Sequence, residues 1–198
     1  MTETTPNYLD QLEAHNIIAF ILKHEIRNEN GSLIEFMDHN FMIQPFLDMT
    51  PEQAHMKCAQ IGGSVKEIIR SFWIAKHLGA NVIYTLPTRN AVRDFVLPKV
   101  NPIIEKNPIF QSFIRTTDSI ELKSIGDRFV YFRGSWGQES AISISAQVLI
   151  NDEKDRSNQK TLRTYRSRLD DARRERPDLG WEMNFSNPTI PDYGIDED

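Results

Sequence analysis

The sequence predicts an α/β fold in three layers, with helices over a mainly parallel central sheet. Three observations carry this. Short apolar runs at 81–86, 128–132, 147–150 and 181–185 alternate with stretches of helical periodicity, the pattern of strands joined by crossover helices. The run Val148-Leu149-Ile150 is continuous rather than alternating, as expected of a strand buried on both faces of a parallel sheet. A length of 198 residues suits one domain with a substantial core.

Taken in order, residues 8–24 read as one amphipathic helix, with apolar residues at 9, 12, 17, 18, 21 and 22. Asn28-Glu29-Asn30-Gly31-Ser32 is a turn, which divides a helical segment (1–30), packed on or beside the core, from the domain proper (31–198). Apolar residues at 65, 68, 69, 72, 74, 75 and 78 predict a second helix, with Gly79 as its C-cap. Strand 81–86, a turn at Pro87 and a helix from Thr88 follow, and then the strands at 128–132 and 147–150. Seven arginines lie between 156 and 176, diluted by acids. They suit either a helix facing DNA or a neighbouring subunit, or a solvated helix laced with i,i+4 pairs. Residues 188–198, rich in proline and acids, read as an exposed tail.

Two segments carry chemistry. Lys57-Cys58-Ala59-Gln60-Ile61-Gly62-Gly63-Ser64 has the outline of a phosphate-binding loop with its lysine displaced. In a regular loop, G-x-x-x-x-G-K-[ST], backbone amides wrap the phosphates, the lysine reaches them and the hydroxyl ligates Mg²⁺. Here Lys57 stands at the first glycine, Gly62 is in register, Gly63 replaces the lysine and Ser64 keeps the hydroxyl. Lys57 can serve as the cation if the loop folds back, with Lys66 as a second, and a helix beginning near Gly63 would aim its amides at an anion. The bland alternative is a glycine turn before a buried helix. The second segment is Asp152-Glu153, at the carboxyl end of the apolar run, where open α/β sheets place their ligand crevice. Asp152 would hold Mg²⁺ and Glu153 would orient or deprotonate a water, unless the pair is simply a surface pair after a strand. The order of the two segments favours ATP hydrolysis, with the acidic strand neighbouring the loop strand.

These segments resemble the large terminase subunits of tailed phages. Met56-Lys57-Cys58-Ala59-Gln60-Ile61-Gly62-Gly63-Ser64 is similar to their deviant phosphate loop. Tyr84-Thr85-Leu86-Pro87-Thr88 with Ala91 and Phe95, then Arg133-Gly134-Ser135, then Asp152-Glu153-Lys154-Asp155-Arg156, continue the match in order. Ser186-Asn187-Pro188-Thr189-Ile190-Pro191 resembles the coupling motif that closes the ATPase core, and the likeness spans roughly 33–196. The resemblance implies an additional-strand P-loop ATPase, working as a homo-oligomeric ring on a capsid portal with a small terminase subunit. Such a ring drives double-stranded DNA into a procapsid in the cytoplasm of the infected host cell. Carried over by position, Lys57, Gly62 and Ser64 contact phosphate and Mg²⁺, Asp152 supports Mg²⁺ and Glu153 is the catalytic carboxylate, while Gln60, Ile61, Gly63 and Lys66 are expected to complete the surroundings of ATP. Ser186, Asn187 and Thr189 would couple nucleotide state to movement. Gln44 and Phe46 fall where the family contacts adenine, although a solvated amide and a core aromatic fit equally well.

The chain departs from the family in three ways. Gly63 stands where many members have lysine. Ile142 occupies the place of an arginine that acts on a neighbouring subunit, leaving Arg133 and Arg128 as substitutes. The nuclease domain usual in the family is expected to be absent from this chain. Two other readings compete with the packaging motor: a nucleotide-binding assembly module with little hydrolysis, and a helicase-like DNA translocase.

Composition bounds these readings. No run approaches the ~18 apolar residues of a membrane helix, so no membrane partner is expected. Cys58 is the only cysteine and cannot form an internal disulfide, and no zinc spacing is present. A net charge of −5 is awkward for a DNA motor, because nonspecific affinity comes mainly from lysine and arginine neutralising phosphates. A ring could recover affinity by multivalency.

Overall fold

A computed structural model describes residues 8–58, 61–136, 144–189 and 191–197. The expected N-terminal helix is two: α1 (Tyr8–His15) and α2 (Ile17–Lys23). Asn16 breaks them, because its side chain accepts from the amides of Ile18 and Ala19 as an N-cap and its extended backbone cannot continue a helix. α2 is part of the core, with Ile17, Phe20 and Ile21 buried, and α1 is tied to α4 by the Trp73 indole, which donates to the Glu13 carbonyl.

Next come α3 (Ile43–Leu47), β1 (Glu52–Met56) and α4 (Gly63–Trp73), which runs on through a π-helical turn, Ile74–Leu78, to Gly79. β2 (Val82–Leu86) leads to α5 (Arg89–Phe95), capped by the Thr88 hydroxyl. Then come α6 (Asn101–Lys106), α7 (Pro108–Phe113), β3 (Ile114–Asp118), β4 (Leu122–Ile125) and β5 (Arg128–Gly134). After β6 (Val148–Asp152), α8 (Gln159–Arg166) and α9 (Leu169–Glu175), β7 (Trp181–Ser186) completes the sheet.

The sheet order is β1-β7-β6-β2-β5-β4-β3. The first five strands pair in parallel, and β4 and β3 add an antiparallel edge. The acidic strand β6 is therefore not a neighbour of the loop strand β1. β7 lies between them, an additional strand inserted by the last crossover. Strand periodicity divides the core into two faces. Val82, Tyr84, Val148 and Ile150 face the main cluster with α2 and α4, while Ile83 and Leu149 face Tyr165 and Leu169 of α8 and α9. This makes three layers.

Two expectations about the second half change. Arg166 reaches Glu52 (3.0 Å) and Glu182 (2.9 Å), and Arg173 reaches Glu52 (3.1 Å). Part of the arginine-rich segment thus ties α8 and α9 to the edge of the sheet, rather than pairing only along its own helix. The segment after β7 is not a free tail either. Gly194 and Ile195 are buried, and the Asp155 carboxylate accepts from the Ile195 amide (2.9 Å) and from the Thr189 amide and hydroxyl (2.8 and 3.0 Å). Burial pushes the Asp155 carboxyl up, but these hydrogen bonds outweigh it and hold the group below its usual range. Among the described residues, no helix is long and apolar enough to cross a membrane.

Candidate functional site

Three strand ends meet at one cavity. β1, β7 and β6 run in parallel, so their carboxyl ends open on the same side of the sheet. Each delivers polar residues where its pairing stops: Lys57 after β1, Asp152-Glu153 at β6, and Ser186-Asn187 at β7. The Lys57 amide still bonds the Ser186 carbonyl (3.0 Å), which fixes where the loop departs. Gly62 then takes φ 82° as the residue before α4, a conformation that costs a side-chain-bearing residue energy. The turn leaves the first amides of α4 without helical partners and facing the cavity.

Beneath this turn lies a compact hydrogen-bonded cluster. The Lys57 ammonium donates to Asp152 Oδ1 (2.9 Å) and lies 3.4 Å from Ser64 Oγ, whose hydroxyl donates to Asp152 Oδ2 (2.8 Å). Lys57 also sits over the Phe185 ring, 4.6 Å from its centroid. Asp152 is 2% exposed and Lys57 14% exposed, so their charges interact through little water. A third donor, the Tyr84 phenol on β2, reaches Asp152 Oδ2 at 3.0 Å. Burial first, and then Asp152 itself, push that phenol well above its usual range, so it stays a neutral donor.

Glu153 follows with φ 52°, a left-handed backbone without glycine, which is strain of the sort concentrated at functional sites. Its carboxylate is partly exposed and lies 3.7 Å from Arg156 Nη1. Both residues line the cavity. Its volume is about 530 Å³, and Lys57, Ile61, Gly62, Gly63, Ser64, Lys66, Ser186 and Asn187 share the same lining.

The opposite wall is built from residues 28–46. Phe36 packs edge-on against Phe46 (5.7 Å), and Ile34, His39 and Met42 continue the surface. α4 holds this wall from below: Arg70, fully buried, donates to the carbonyls of Pro45 and Asp48 and to Gln53 Oε1 (3.0 Å). Glu67 and Lys66 beside it form a buried ion pair. Burial raises the Glu67 carboxyl, but Lys66 and Arg70 hold it below its usual range.

The sequence-derived residues divide clearly. Lys57, Ile61, Gly62, Gly63, Ser64, Lys66, Phe46, Glu153, Ser186 and Asn187 line the cavity, and Asp152 lies directly beneath it. Gln60 and Ile142 lie outside the described residues. Gln44 is exposed on α3 and does not line the cavity. Thr189 is one step removed, bonded to Asp155. The structure does not bring Arg133 to the cavity: β5 is separated from β6 by β2, and the guanidinium donates to the carbonyls of Glu121 (2.7 Å) and Phe132 (2.9 Å). Arg128 begins the same strand, at its opposite end. Sequence reasoning missed Phe36 and gave no role to Tyr84 or Arg156, although both stand within the segments that carry the resemblance.

The arrangement offers a cation, helix-terminal amides and a hydroxyl to a polyanion, and a hydroxyl–carboxylate pair to a hard divalent metal. A partly exposed carboxylate stands beside them.

No protein-family model and no curated protein sequence matches this chain. Among solved structures it is similar to the large terminase of bacteriophage HK97, with a TM-score of 0.69 and 12% identity. That likeness covers 92% of this chain and 39% of the phage protein. It is also similar to the large terminase ATPase domain of Thermus phage P74-26, with a TM-score of 0.55 and 10% identity over 72% of this chain and 61% of that one. The chain thus spans less than two thirds of either structure. At these identities the likeness establishes a shared fold.

Proposed function

We propose that this chain is the ATPase motor domain of a viral terminase large subunit, hydrolysing ATP to move double-stranded DNA into a procapsid. The observation that carries the reading is the Lys57–Ser64–Asp152 cluster beneath the Gly62-Gly63 turn, in one cavity with Glu153. The fold shared with two phage large terminases supports the same reading.

The residues fit a magnesium nucleotide. Ser64 Oγ and Asp152 Oδ2 are hard oxygen donors 2.8 Å apart, and Mg²⁺ needs only one or two protein oxygens besides phosphates and water. A cavity of about 530 Å³ lies within the range of small-molecule sites, about 300–1,000 Å³. Bound Mg²⁺ would neutralise charge on the phosphate oxygens. The chain's own residues do the rest. Lys57 and the first amides of α4 hold the phosphates, Glu153 orients or deprotonates the attacking water, and Phe36, backed by the buried Phe46, offers an apolar face to the base. Most of the rate enhancement then comes from positioning and electrostatics. Arg156 adds a cation at the same mouth, on the side of Glu153. Ser186 joins the two motifs, because its carbonyl accepts from Lys57 N and its hydroxyl accepts from Asp155 N. A change at the phosphates can thereby reach the 186–195 segment.

In the full reading the domain works in a ring, on a portal and with a small subunit, and another protomer supplies the arginine whose place in the sequence is taken by Ile142. The test is steady-state ATPase activity with Mg²⁺ across protein concentrations. Turnover per subunit that rises with concentration supports a site completed by a neighbour. Absence of any nucleotide binding sinks the reading.

A further inference from the structure

We infer that Tyr84 is a positioning residue that fixes the orientation of the Asp152 carboxylate while the other two groups bonded to it change partners. This rests on the proposed nucleotide reading and adds a residue that the phosphate-loop and acidic motifs do not contain.

Tyr84 occupies the middle of β2, among Val82, Ile83 and Leu86, where an aliphatic side chain would pack without a polar atom to satisfy. It is 0% exposed. A hydroxyl at that depth needs a partner, and its bond is to Asp152 Oδ2, 3.0 Å away. The register explains the reach. Tyr84 pairs with Ile150 across β2 and β6, and Asp152 lies two residues further on the same face, a diagonal that a phenol can span. The ring is held from three sides, by Phe95 (5.2 Å), Phe132 (5.5 Å) and Phe185 (6.3 Å) between centroids. Its hydroxyl therefore points where the packing dictates.

The other two donors are differently placed. Lys57 and Ser64 both line the cavity, and each carries a group that a magnesium nucleotide engages: the ammonium for phosphate, the hydroxyl for metal. When they turn to the ligand, Asp152 keeps one of the three side-chain donors it has among the described residues, and that donor is Tyr84. A carboxylate held from behind presents its free lone pairs to the cavity in one direction. Without the phenol it can rotate, and the metal site loses its preset geometry. Partners of this kind typically contribute about 10–100-fold to metal affinity.

The experiment compares wild type, Tyr84→Phe, and a chain carrying para-aminophenylalanine at 84, which retains an N–H donor. ATPγS binding is followed by calorimetry in EDTA and across a Mg²⁺ titration, beside thermal melting. In Tyr84→Phe the half-saturating Mg²⁺ should rise about tenfold, with ATPγS affinity in EDTA and the melting temperature close to wild type. Para-aminophenylalanine should restore most of the Mg²⁺ dependence. An unchanged Mg²⁺ requirement in Tyr84→Phe overturns the inference. So does equal weakening with and without metal, or failure of the amino analogue to restore a loss, because packing alone would then explain the residue. Failure of wild type to bind ATPγS at all is a different result, which removes the nucleotide reading itself.

Discussion

The two walls of the cavity are built on opposite principles. The wall proposed to hold phosphate stands on the ends of β1, β7 and β6, and its key groups are nearly buried and bonded to each other at 2.8–3.0 Å. The wall of residues 28–46 has only short helical turns. It exposes Leu33, Met37 and Phe41, and depends on Arg70 to hold Pro45 and Asp48 in place. Charge recognition needs fixed groups, because a misplaced cation or amide loses most of its interaction. An apolar face against a base tolerates looser geometry, since burial is non-directional. α4 serves both walls: its first amides face one, and Arg70, two turns along, clamps the other.

Several variants can break or sharpen this contrast. Lys57→Ala should have the largest effect, weakening nucleotide binding by roughly a hundredfold or more and abolishing turnover, as read by calorimetry and phosphate release. Retained binding would mean that the amides alone carry the phosphates. Glu153→Gln should cut kcat by about a hundredfold or more with ATP affinity unchanged; a parallel loss of affinity would place Glu153 in binding. Arg70→Met should loosen only the second wall. We expect ATP affinity to fall about tenfold while inorganic triphosphate binds as before, since the clamp holds Pro45 and Asp48 rather than the loop. If triphosphate weakens equally, the two walls are not separable. The smallest effect is expected for Phe36→Ala, a three- to tenfold loss of ATP affinity, equivalent to about 0.5–1.5 kcal/mol for an aromatic contact. A flat response would remove Phe36 from the base face.

Acid should distinguish the segment that follows β7. Asp155 has a folded-state pKa below its unfolded value, so its contribution to stability is present above the unfolded pKa and is lost as pH falls through the folded one. Asp155→Asn should therefore lower the melting temperature at neutral pH and flatten its decline in acid. An acid limb identical to wild type would show that the carboxylate does not hold residues 189–195.

Much of this first wall was legible because its chemistry is local. Gly62-Gly63 before a helix, and Val148-Leu149-Ile150 running into Asp152-Glu153, announce a turn, a helix start and a buried strand within a few residues. The alternation of runs and helices likewise fixed the α/β class, since each element carries its own periodicity. β1 was not legible: Glu52-Gln53-Ala54-His55-Met56 is an edge strand whose pattern lacks an apolar run. The antiparallel pair β3 and β4, irregular in its pairing, was missed as well. The break at Asn16 needed the cap geometry, and the burial of Ile195 needed Asp155, forty positions away.

The sequence by itself named the groups proposed for phosphate and metal, because such groups are chosen by residue type and short spacing. Only the tertiary structure decided where the groups meet. It inserted β7 between the loop strand and the acidic strand, brought Tyr84 from β2 against Asp152 across 68 positions, and folded residues 28–46 over the mouth. It also left Arg133 on β5, beyond β2, bonded to Glu121. These are contacts between elements distant in the chain, chosen by sheet order and core packing, and no periodicity within a single segment encodes them.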